Sequence, residues 1–215
     1  SVTNITISGT NFGPSHFWRE LTVTNSNAEL SDYPISFTFD SAALITAGKM
    51  RPDCGDLRLL DSGPGRQLNY WIQDDTCNTA TTTVWVKVPT IPNGRKSIYL
   101  THGDFNLTSN SSGNSVFQFF DDFESATLDT GKWTITTGSP SLLGGKLILN
   151  NSEGIFAGGY AIPSNTVWET SHDPVVTSRY SNVLKGSATT TAAWDDNTSS
   201  DSVAISLSSS SILAE

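Results

Sequence analysis

Apolar and polar positions alternate with a period of two along most of this chain, and helical spacing is nearly absent. In "YPISFTFD", Tyr33, Ile35, Phe37 and Phe39 fall on one face, with Ser36, Thr38 and Asp40 on the other. In "TTTVWVKVP", Val84, Val86 and Val88 point one way and Trp85 and Lys87 the other. The stretches "WRELTVTN", "LRLL", "QLNYWI", "SIYLT", "KWTITT", "GKLIL", "TVWETS", "VVTSRYS" and "SVAISL" read as further strands. Between them lie "SGPGR", "IPNG", "TGSP" and "LGG", rich in the residues whose backbone preferences reverse a chain. Only "SAALITAGKM" reads as a short helix. Many short strands separated by turns imply an all-β fold of antiparallel sandwich or jelly-roll modules.

The polar, Gly/Ser/Asn-rich run at residues 101–115 reads as a junction, with "VFQFFDDFE" opening a new series of strands after it. Two modules in tandem follow from this, residues 13–110 and 111–215, preceded by a strand and spacer at 1–12. There is no internal repeat. The first strand, "SVTNITIS", alternates and is followed by the Gly-containing "GTNFGPSH". Two placements are open to it. One is an edge strand of its own domain; the other is a donor strand, with Val2, Ile5 and Ile7 completing the sheet of a neighbouring subunit.

Charge narrows the partners. The 215 residues carry 12 Lys+Arg and a net charge of −9, which argues against nucleic acid and anionic membrane surfaces. No apolar run approaches the roughly 20 residues that span a bilayer. The chain starts at Ser1 and reads as a mature form after signal-peptide removal. Cys54 and Cys77 lie in neither a CxxC nor a His-containing motif, so they read as one disulfide of an exported protein rather than as metal ligands. Sequons at Asn4, Asn106, Asn110, Asn150 and Asn197 are candidate N-glycosylation sites, though a chain this rich in Asn, Ser and Thr gives about as many by chance.

Asp121, Asp122 and Glu124 bring three carboxylates together within "FFDDFE". A glycosidase needs two carboxylates about 5–10 Å apart across a cleft, whereas neighbours on a strand face opposite ways. The three acids therefore read as turn-organising groups, with Ca²⁺ as the one candidate cofactor because they cluster hard oxygen ligands. No G-x-S-x-G, HxH, HExxH or phosphate-cradling loop is present, and no enzymatic activity is expected. The six tryptophans, at 18, 71, 85, 133, 168 and 194, fall mostly within strands and default to packing. Trp168 and Trp194 are the candidates for stacking on sugar rings.

The spaced motifs "FWRELTVTN", "DCGDLRLLDSGPGRQLNYWI", "TVWVKVPTIPNGRKSIYLTHGD" and "FQFFDDFE" resemble a prokaryotic domain family of unknown function found in exported proteins of archaea and bacteria. The resemblance covers about residues 17–124; its usual "YGN"-like turn is "HGD" here. Beyond it, "LDTGKWTITTGSPSLLGGKLIL" resembles the opening of a concanavalin-A-like lectin/glucanase sandwich, in a module that is short or incomplete for that fold. A short sandwich has an open groove that a donated strand fills. The expectation is a non-enzymatic extracellular structural protein, a pilus-like filament subunit that polymerises with copies of itself by strand exchange. A glycan-binding adhesion module at the cell surface is the alternative, and a glycoside hydrolase ranks last.

Overall fold

The computed structural model describes residues 2–8, 17–62, 65–149, 153–157, 185–186 and 206–207; for 2–8, 156–157, 185–186 and 206–207 it describes the backbone alone. The fold is all-β. The chain divides into two units, Ser1–Asp121 and Asp122–Glu215.

The first unit holds two antiparallel sheets. One contains β1 (Val2–Ser8), β2 (Phe17–Asn25), β7 (Gly94–His102) and β4 (Arg58–Leu60), in that order. The other contains β3 (Leu30–Phe39), β6 (Thr82–Ile91) and β5 (Tyr70–Ile72). The period-two pattern explains both. Leu21 and Val23 on β2, Ile98 and Leu100 on β7, Ile35, Phe37 and Phe39 on β3, and Val84, Val86 and Val88 on β6 are all buried in one cluster. Alternate residues of the same strands remain half-buried or exposed. Burial of this one row per strand is the main stabilising term, and it fixes register, because a slip of one residue would turn every apolar side chain outward.

The helix expected in "SAALITAGKM" is α1 (Ser41–Thr46), whose N-cap Asp40 accepts a hydrogen bond from the Ala43 N–H at 2.8 Å. The "IPNG" turn carries the chain from one sheet to the other, from β6 to β7. Gly94 there adopts φ +115°, a conformation in which a Cβ would be strained. Buried Asn25 holds this corner by donating to the carbonyls of Ala28 and Ile91.

In the single chain described, the N-terminal strand pairs with its own β2. β1 lies antiparallel to β2. The register sets Ile5 opposite Val23 and Ile7 opposite Leu21, so both fall in the apolar row of β2.

"VFQFFDDFE" is not the strand that was expected. Its start lies in a one-turn helix, α2 (Gly113–Val116), and residues 117–124 form no strand. The division between the two units falls at Asp121/Asp122. In the second unit β8 (Trp133–Thr137) pairs with β11 (Gly154–Ala157), and β9 (Ser141–Leu142) with β10 (Leu147–Ile148). β12 (Lys185–Gly186) pairs with β13 (Ser206–Leu207) in parallel. Trp133 and Ile155 are its buried apolar residues among those described. The strands read in "TVWETS" and "VVTSRYS" lie outside the described residues.

Candidate functional site

A polar network in the first unit joins the turn before β4 to the loop after β7. Asp56 is 1% exposed. Its Oδ1 accepts the Arg51 N–H at 3.0 Å and its Oδ2 the Gly103 N–H at 2.7 Å. A buried carboxylate is tolerated when both oxygens are bonded in this way. Arg51 adds a two-pronged contact with Asp53, 2.9 Å for each prong, and donates to the Phe105 carbonyl. That pairing, followed by the Gly55 N–H, holds the Asp53 carboxyl at about 2. Because the folded value lies below the unfolded one, its contribution to stability is present above pH ~4 and fades as pH falls toward 2.

Arg58 donates to the carbonyls of Gly55, Leu57 and Thr108. The Tyr70 hydroxyl donates to the Leu57 carbonyl at 2.7 Å, and burial pushes the phenol's pKa up. His102 stacks on Phe17 with ring centroids 5.2 Å apart and donates from Nδ1 to the Lys49 carbonyl. Burial lowers its pKa and favours the neutral ring. The Cys54–Cys77 disulfide, with Cα atoms 6.1 Å apart, anchors the same turn to the loop after β5, as the sequence indicated. These groups spend their hydrogen bonds on one another and on backbone. The arrangement is a lattice that locks two loops, with no nucleophile–base pair in it.

A second cluster explains three of the spaced motifs together. Trp71 on β5 and Trp85 on β6 are direct cross-strand partners, on the sheet face opposite the core. Phe117 and Phe120 lie over them: Phe120 is 4.8 Å from Trp71, Phe117 is 5.2 Å from Trp85, and the two Phe rings stack at 5.6 Å. Edge-to-face contacts of this kind add about 0.5–1.5 kcal/mol each beyond area burial. All four rings are half-buried. Gly113 sits under Phe120, where an added Cβ would lie 2.2 Å from the ring. Gly113→Ala is therefore expected to lift Phe120 off Trp71 and cost about 1–3 kcal/mol. Near-ultraviolet circular dichroism and urea unfolding read the two effects; an unchanged aromatic spectrum would contradict the packing.

The acids singled out in the sequence are not gathered into a metal centre. Among the described residues no group of three or more His, Cys, Asp or Glu is arranged to hold a metal ion. Asp122 accepts the Glu124 N–H across an Asx turn at 3.4 Å. Phe123 between them takes φ +57° and packs 5.7 Å from Trp133. Asn106 and Asn110 are exposed in the loop after β7, Asn4 lies in β1, and Trp168, Trp194, Asn150 and Asn197 fall outside the described residues. Among the described residues no helix is long and apolar enough to cross a membrane.

Residues 53–136 match the family model of a domain of unknown function, DUF2341. The matched segment runs from the disulfide turn through the Trp71–Trp85 cluster to β8. No curated protein and no solved structure matches the chain.

Proposed function

We propose that this protein is a non-enzymatic extracellular structural protein, the subunit of a surface filament whose copies are joined by exchange of β1. The observation that carries the reading is the place of β1. Among the described strands it is bonded to β2 alone, at the margin of the first unit, and residues 9–16, "GTNFGPSH", join it to β2. The ladder that β1 makes with β2 in one chain is equally available between two chains, so exchange costs little beyond the rearranged spacer. Donor and acceptor surfaces differ, so the contact propagates unless it closes into a ring. The disulfide accords with an oxidising, exported setting. The lattice of loops in the first unit supports a rigid building block.

Deleting residues 1–9 is expected to abolish assembly and leave a less stable monomer. A synthetic peptide of residues 1–10, added in trans, is expected to restore stability. Light scattering and negative-stain microscopy read assembly, and thermal unfolding reads the peptide's effect. Filaments formed by the deletion protein as readily as by the full chain would end the reading.

A further inference from the structure

We infer that the outer edge of β1 is a second contact surface, which pairs antiparallel with β1 of another copy about a two-fold axis. The inference does not rest on strand exchange, because β1 borders β2 in the same way whichever chain supplies it.

An exposed sheet edge is a row of free backbone donors and acceptors, and proteins that stay apart blunt such rows. Three edges of the first unit are blunted. Outside β4, the segment 66–68 folds back, with the Leu68 N–H on the Leu59 carbonyl and the Asp61 N–H on the Arg66 carbonyl. Outside β5, Ser112 donates its N–H to the Tyr70 carbonyl and the Ser111 hydroxyl accepts the Ile72 N–H. The edge strand β3 carries Pro34, which has no N–H, and the charged Asp32 at φ +48°. β1 is different. No described strand lies on its outer side. In a chain of net charge −9, its seven residues include no charge and no proline.

The occupant follows from self-complementarity. A register irregularity at Thr3 leaves Asn4–Ser8 as the regular run against β2. Antiparallel pairing of two such runs centres on Thr6, with Thr6 opposite its copy and Ile5 opposite Ile7. Residues from the apolar row of one sheet then continue the apolar row of the other, and no like charges oppose. One two-fold contact serves the β1 edge of both copies at once.

Thr6 lies opposite Thr22, outside the buried row of β2, so charge can be placed there without disturbing the core. Unglycosylated full-length protein is the sample. Analytical ultracentrifugation is expected to show the wild type and Thr6→Gln associating. Thr6→Lys should associate more than about tenfold more weakly, as should Thr6→Glu. An equimolar mixture of the Lys and Glu variants should regain association, and Thr6→Cys should cross-link as a dimer on oxidation. If strand exchange also holds, Thr6→Lys still forms single filaments but loses side-by-side pairing. Thr6→Lys associating like wild type, a mixture no better than either variant alone, or a wild type with no lateral pairing would overturn the inference.

Discussion

Asp56→Ala is expected to lower the unfolding free energy by about 3 kcal/mol, although the residue is an acid in a loop. The carboxylate is 1% exposed and each oxygen takes a different backbone N–H, from Arg51 on one side and Gly103 on the other. Alanine leaves both donors buried without a partner, and each orphaned group costs roughly 1–3 kcal/mol. Asp56→Asn should fall between, because its one carbonyl oxygen serves one N–H while the amide faces the other. Asp53→Ala provides the contrast. Its side chain is 57% exposed and its ion pair with Arg51 lies at the surface, where such pairs contribute about 0–1 kcal/mol. Urea unfolding of the oxidised proteins would rank the three. A cost for Asp56→Ala no larger than that for Asp53→Ala would show that the two loops are held some other way.

Removing the disulfide with Cys54→Ser and Cys77→Ser is expected to cost a similar amount, about 3 kcal/mol. The bridge spans 23 residues of sequence. Closing a loop of that size in the unfolded chain accounts for the figure on the chain-entropy view. Cys54 itself is buried and takes φ +52°, so the bridge also holds an unfavourable backbone conformation in place. Reduced wild type and the double variant should unfold at the same urea concentration, both well below oxidised wild type. Coincidence of all three transitions would refute this.

The strands of the first unit were legible because one face of each is buried. In β3 and β6 that requirement writes itself into the sequence as Ile35, Phe37 and Phe39 against Val84, Val86 and Val88. The disulfide was legible from its context. "FQFFDDFE" was misread because its aromatics serve no strand of their own. Phe117 and Phe120 cover Trp71 and Trp85 from a separate segment, and a side chain's partner so far along the chain leaves no local period. The burial of Asp56 was hidden for a related reason. Its second hydrogen-bond donor, Gly103, is 47 residues distant, and nothing beside an aspartate announces that it will be enclosed. The alternation in "SVTNITIS" showed a strand but not its neighbour, since an apolar row fits any complementary edge.

The disulfide has a mechanical consequence for a unit pulled at its ends. Cys54 and Cys77 bracket β4 and β5, and their Cα atoms stay 6.1 Å apart however the rest of the unit is stretched. The 23 residues of separation would otherwise pay out roughly 70–75 Å of contour when the unit unravels. In an oxidising surrounding that length stays out of the line of tension, so the unit lengthens less when its ends are pulled apart. A reducing surrounding releases it, making the reach of the stretched unit a property of the medium around it.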